Sequence, residues 1–229
     1  MATRLFLHAA GHVFGGTFPT AEQAAASSIQ RIAGATSIAL MNTTTGTTQT
    51  SITFTNFASS TVQTYLLKIF TSPPISGSAT IGGGNMIINN AGSESNNNMN
   101  FFAGNTANIY VWRPSTGTLV GTIKDAANSS TLGLGNAEVG TGETAFHITS
   151  ITTSPVAASS GDVIIYEMWA RFTPGMATAY TGNVFWDGTT VNTTAGAAVT
   201  NHASFIEFTE NFSFVEAAAA KARSFAVIC

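Results

Sequence analysis

Apolar and polar positions alternate with a period of two along most of this chain, and that period predicts strands. Residues 3–8 alternate and form a first expected strand, after which Gly11, Gly15, Gly16 and Pro19 break the pattern. Thr20 followed by Gln23 has the spacing of a capping box, which predicts either a short helix as far as Ile29 or an extended arm. Ser51-Ile-Thr-Phe-Thr places Ile52 and Phe54 on one face. In residues 62–70, Tyr65, Leu67 and Ile69 share one face and Leu66, Lys68 and Phe70 the other. Such a strand is buried on both sides or has one face covered by a partner.

Pro73-Pro74 ends that run, and residues 75–107 are rich in Gly, Asn and Ser. A structureless loop of that length is out of place in a compact domain. Met86-Ile-Ile and Phe101-Phe are therefore expected to pin it to the body as short strands. Residues 108–113 and 119–123 are expected to pair as a hairpin across Pro114-Ser-Thr-Gly-Thr. Residues 145–153 alternate around Phe146, Ile148 and Ile151. Residues 162–172 make the strongest strand, with Ile164, Tyr166, Met168, Ala170 and Phe172 on one face and Val163, Ile165, Glu167, Trp169 and Arg171 on the other. Strands at 182–186, 204–208 and 212–215 follow.

Roughly ten short strands separated by Gly, Pro, Asn and Ser turns predict an all-β fold. The expected architecture is an antiparallel β-sandwich of jelly-roll type, with a barrel as the other arrangement. Residues 1–34 form a first strand and an N-terminal arm. Residues 35–215 form the body, as one unit or as two subdomains split near 72–107. Residues 216–229 form a short C-terminal tail, helical by propensity through Glu216-Ala-Ala-Ala-Ala-Lys-Ala-Arg and apolar at its end.

Composition changes the picture chiefly through charge. Of 229 residues, 8 are Lys or Arg and 11 are Asp or Glu, so 8% are charged. A typical soluble domain carries about 25%. Between Arg31 and Lys68 there is no charged residue, and from Thr71 to Trp112 there is only Glu94. Such a surface repels its own kind weakly and suits a protein covered by neighbours, so the neutral N-terminal half is expected to face adjacent subunits. The net charge of −3 gives no attraction to nucleic acid or to an anionic membrane. No signal-peptide pattern or apolar run of membrane-spanning length is present, and a cytoplasmic site of synthesis is expected. The one cysteine, Cys229, has no internal disulfide partner.

Candidate chemistry is sparse. His8 and His12 have a metal spacing only on a helix, and the residues around them read as strand and turn. Asp162, Glu167, Asp187 and Glu207 lie near strong strands, but no spacing selects an acid pair for glycoside hydrolysis. Gly82-Gly-Gly and Gly133-Leu-Gly lack the strand–helix setting of a phosphate loop. No catalytic, metal or cofactor site is expected. Trp112, Trp169 and Trp186 are read either as core or as a sugar-stacking platform.

Four stretches resemble a group of tailed-phage virion structural proteins of unassigned role. They are Met1-Ala-Thr-Arg-Leu-Phe-Leu, Gly161-Asp-Val-Ile-Ile-Tyr-Glu-Met-Trp-Ala-Arg-Phe, Ala179-Tyr-Thr-Gly-Asn-Val-Phe-Trp-Asp-Gly, and Ala203-Ser-Phe-Ile-Glu-Phe-Thr-Glu-Asn-Phe-Ser-Phe. The likeness covers the first residues and about 161–214; the Asn-rich middle and the tail depart from it. The resemblance implies a non-enzymatic virion protein assembled in a host cytoplasm. A capsid decoration or cement protein that forms a homo-oligomer is expected, with major capsid or tail proteins as partners. A tail-fibre or adsorption component that binds host glycan is the alternative. Phe18 and Ile29 in the arm and Phe225, Val227 and Ile228 in the tail are the expected interface residues. Deleting residues 216–229 should lower the protein's occupancy on the particle, measured by quantitative gel analysis of purified virions. Unchanged occupancy would remove the tail from the interface.

Overall fold

A computed structural model describes residues 2–19, 29–31, 37–55, 63–96, 101–125, 139–172 and 178–215. These residues form strands and turns, with no helix among them. The strands are β1 (Thr3–Gly11), β2 (Ile29–Arg31), β3 (Ile38–Asn42), β4 (Thr50–Thr55), β5 (Gln63–Thr71), β6 (Ala79–Ile81), β7 (Asn85–Glu94), β8 (Phe101–Arg113), β9 (Thr118–Lys124), β10 (Thr144–Thr152), β11 (Val156–Ala158), β12 (Val163–Phe172), β13 (Thr181–Trp186) and β14 (Phe205–Phe208). The fold is all-β, as the alternation predicts.

Twelve strands form one sheet in the order β4-β13-β7-β14-β1-β3-β5-β12-β8-β9, with β10 also on β7 and β2 also on β5; β11 and β6 form a separate pair. The pairings are antiparallel except that β2 and β3 both run parallel to β5. The sheet folds over on itself as a sandwich. β8 lies against β7 and β10, from which it is remote along the sheet. Asn90 Nδ2 on β7 donates to the Tyr166 hydroxyl on β12 at 3.0 Å. Phe70 on β5 stacks on Tyr166 at 5.9 Å and meets the Trp186 ring of β13 edge-on at 5.7 Å.

The main core lies between the layers and includes Leu5, Leu7, Phe70, Ile88, Val111, Ile164, Tyr166, Met168, Trp186 and Ile206. Within residues 72–107, β7 lies among the inner strands of the sheet, and this one cluster takes members from before, within and after that stretch. Burying each large apolar side chain contributes about 1.5–3 kcal/mol before chain entropy is counted.

β12 is buried on both faces, as its sequence requires. Ile164, Tyr166 and Met168 point into the main core, while Val163, Ile165 and Trp169 join Leu66, Ile69, Tyr110 and Trp112 in a second cluster on the opposite side. Phe18 and Ile38 pack on that second cluster. The β8–β9 hairpin closes through Pro114–Gly117, where Gly117 adopts φ +66° and its N–H donates to the Arg113 carbonyl at 2.9 Å. At the start of β12, Arg113 donates Nε and Nη2 to the two oxygens of buried Asp162 at 2.8 and 2.9 Å.

Several elements differ from the sequence expectation. The Asn-rich stretch holds a ten-residue central strand, β7, in place of a short pin, and β8 begins at Phe101 and not at residue 108. Ile29 lies in strand β2 and not at the end of a helix, while residues 20–28 fall outside the described residues. Residues 212–215 make only an isolated bridge, Ile75 to Phe214. The expected helical tail at 216–229 lies outside the described residues.

Phe70→Ala is expected to destabilise the protein by about 3–5 kcal/mol in urea unfolding, because Phe70 is fully buried between the layers. Leu119→Ala, at a position 55% exposed, should stay within about 0.5 kcal/mol of the parent.

Candidate functional site

The second cluster carries a buried carboxylate. Glu167 occupies the outer face of β12, two residues from Ile165 and two from Trp169, and is 1% exposed. It lies opposite Asn108 of β8 in the antiparallel ladder, which brings Tyr110, two residues further along β8, to the same face. Asn108 Nδ2 donates to Glu167 Oε2 at 3.0 Å, Tyr110 Oη donates to Oε1 at 2.8 Å, and Trp169 Nε1 donates to Oε2 at 3.2 Å. Burial, then the Glu167 charge and its hydrogen bond, push the Tyr110 hydroxyl far above the usual phenol range. Tyr110 therefore stays a proton donor to the carboxylate at any ordinary pH.

A cleft of about 490 Å³ opens beside this node. Asn108, Tyr110 and Glu167 line its polar side, and Pro19, Trp112 and Leu119 its apolar side. Gly117 of the hairpin turn and Thr118, Thr122 and Asp125, from β9 and the residue after it, complete the lining. The N-terminal segment forms the wall at Pro19 by crossing the hairpin. Trp112 Nε1 donates to the Thr17 carbonyl at 2.7 Å, and Thr17 N–H donates to the Pro114 carbonyl at 2.8 Å. Gly16 makes this crossing possible: it adopts φ +112°, and a Cβ there would sit 2.6 Å from Pro114 Cβ.

A second polar group lies on β1, β7, β10 and β14. Asn89 is fully buried and bridges two imidazoles, with its Nδ2 3.0 Å from His202 Nε2 and its Oδ1 3.2 Å from His147 Nδ1. Donation from Asn89 Nδ2 requires an unprotonated Nε2 on His202. Burial, assisted by the nearby His147, pushes His202 down to about 4. Burial likewise lowers His147, with Arg4 adding to the effect and Glu207 opposing it. Arg4 Nε donates to Glu207 Oε2, and its guanidinium sits 4.2 Å from the Phe205 ring centre. Among the described residues, no group of three or more His, Cys, Asp and Glu side chains is placed to hold a metal ion.

The expected site residues are scattered. Trp112, Trp169 and Trp186 do not make a sugar-stacking platform. They are 6%, 1% and 4% exposed, and Trp186 belongs to the main core while the other two belong to the second cluster. Alternation along the strands turns all three inward, where their area is buried. Phe18, expected at an interface with another subunit, packs within the chain against the second cluster and 4.2 Å from the His12 ring. Ile29 pairs through its backbone with Thr64 of β5. Phe225, Val227 and Ile228 lie outside the described residues. The spacing of carboxylates along the chain does not single out Glu167, whose partners are a carboxamide, a phenol and an indole. A single carboxylate flanked by apolar residues on a strand buried on both faces was the available signal.

No family model matches this chain, and no curated protein matches it. Among solved structures, it is weakly similar to a chain in the structure of infectious bursal disease virus Gx strain. The identity is 15% and the TM-score 0.15, over 70% of this chain and 39% of that one. At that TM-score the likeness carries no weight for fold or function.

The neutral burial of His202 sets a pH dependence. Its folded value lies below the ordinary 6.5, so the unfolded chain binds the proton more readily and stability falls as pH drops from 6.5 toward 4. Urea unfolding at pH 7 and pH 4 should differ by about 3 kcal/mol from this group. His202→Asn should flatten the slope; a slope of undiminished size would assign it to other groups.

Proposed function

We propose that this protein is a non-enzymatic structural component of a phage virion, a capsid decoration or cement protein that multimerises on the particle after assembly in the host cytoplasm. The observation that carries the reading is a regular strand edge without charge. β4, Thr-Ser-Ile-Thr-Phe-Thr, pairs with β13 over six consecutive positions without a bulge. Among the described residues it has a neighbour on that side only. Free edges are ordinarily guarded by Lys, Pro or a bulge. A neutral, regular edge fits a molecule whose sides are covered by other subunits.

The segments that resemble phage virion proteins also support the reading. The first and last of them form β1 and β14, which pair with each other from Thr3 opposite Phe208 to Phe6 opposite Phe205. The stretches at 161–172 and 179–188 supply β12 and β13 of the same sheet. The alternative, glycan binding by a tail-fibre component, asked for exposed tryptophans, and the three present are buried.

Quantitative mass spectrometry of purified virions tests the proposal. On the order of hundreds of copies per particle is the expected result for a shell protein, following the symmetry of the capsid. About a dozen copies or fewer would move the protein to the tail or portal, and absence from the particle would end the virion reading.

A further inference from the structure

We infer that β4 joins two copies of this chain: its open edge pairs antiparallel with the same edge of a second copy, Thr53 opposite Thr53. The inference deepens the proposed multimerisation and rests on it. The ladder shows which backbone groups point to the edge. Ser95 N–H donates to the Thr181 carbonyl at 2.8 Å, so Thr181 turns its backbone toward β7. In an antiparallel ladder this direction alternates along the strand. Gly182, Val184 and Trp186 therefore face β4, where they lie opposite Phe54, Ile52 and Thr50. The backbone groups of Ser51, Thr53 and Thr55 are left facing outward from the sheet. The side chains of these same residues are exposed on the outer face, while Phe54 is buried in the main core and Ile52 packs partly buried against it.

The match of this strand with itself selects a second copy as the occupant. With Thr53 opposite Thr53, Ser51 lies opposite Thr55, and all three edge-facing residues form hydrogen-bonded pairs. On the inner face Ile52 lies opposite Phe54, so the apolar layer continues across the junction. Sliding the strands by one residue would set exposed side chains against buried ones. Sliding them by two in one direction would set Thr55 against Gln49, which lies before β4 and is held by Glu143 and the Asn201 N–H. No charge on β4 opposes the approach of an identical strand. Such a contact is two-fold symmetric and closes as a pair. The far end of the same sheet is different: β9 pairs with β8 through two register shifts and lies against β11.

Disulfide trapping in the purified full chain tests the inference. Cys229→Ser removes the native thiol, and Ser51→Cys, Thr53→Cys or Thr55→Cys is added singly. Hydrogen-bonded pairs hold their Cα atoms about 5.5 Å apart, within the range a disulfide spans. Thr53→Cys should therefore form a covalent dimer under mild oxidation, read on a non-reducing gel. Ser51→Cys alone and Thr55→Cys alone should not, because each lies four residues, about 14 Å, from its own copy across the pair. A mixture of those two variants should cross-link. Thr53→Lys, added to both members of the mixture, should abolish that cross-link by setting like charges opposite each other. Urea unfolding curves matching the parent will show that the variants fold. No dimer from Thr53→Cys, a dimer from Ser51→Cys alone as abundant as that from Thr53→Cys, or cross-linking undiminished by Thr53→Lys would each overturn the inference. Failure of the cross-links beside a high copy number on virions would remove this edge contact and leave the virion reading. Register-specific cross-links in a protein absent from virions would do the reverse.

Discussion

A strand with apolar side chains on both faces cannot be satisfied by two layers alone, and much of this molecule follows from that constraint. One face of β12 feeds the core between the layers, and the other needs a cover of its own. The cover comes from the N-terminal segment, which crosses the β8–β9 hairpin at Gly16, accepts the Trp112 indole at Thr17, and lays Phe18 on the second cluster. The same constraint traps Glu167 away from water. An unpaired buried carboxylate is costly, and the three donors around it are what make its position tolerable. Among the described residues, the N-terminal segment and the hairpin cover this face in part, and the cleft lies between them.

Period-two alternation was enough to indicate the class of fold, the hairpin of β8 and β9, and the double burial of β12. It did not indicate β7. That strand contains Asn89, Asn90, Gly92 and Ser93, a run that looks like a loop when polarity is taken as exposure. Asn89 and Asn90 are fully buried because each finds partners that come from distant parts of the chain, His202 and His147 for one and Tyr166 for the other. Such pairings have no local signature. For the same reason the two strands that build the Glu167 node were both expected, while their register, which sets Glu167 opposite Asn108, was not.

Among the described residues, several of the few charges are directed inward or toward each other. Arg113 engages Asp162, Arg4 engages Glu207 and the Phe205 ring, and Lys124 is spent on a backbone carbonyl. Burial pulls Lys124 down to about 8, against the opposing effect of the Asp125 charge. The described part of the surface is therefore poor in charge. Long-range repulsion between copies is correspondingly weak, which favours close packing of identical molecules.

The pairing of β1 with β14 has a temporal consequence. Thr3 finds its partner only when Phe208 is available, roughly 200 residues later. At ordinary translation speeds the first strand waits on the order of 10–40 s for the last. During that interval the middle of the sheet stands open, and β1 and β7 each lack the neighbour that β14 brings into place. Contacts of such high sequence separation make folding slow. The nascent chain thus passes through a period in which its own unfinished seam is its most adhesive surface, and crowded synthesis of many copies would make strand exchange between them its main hazard.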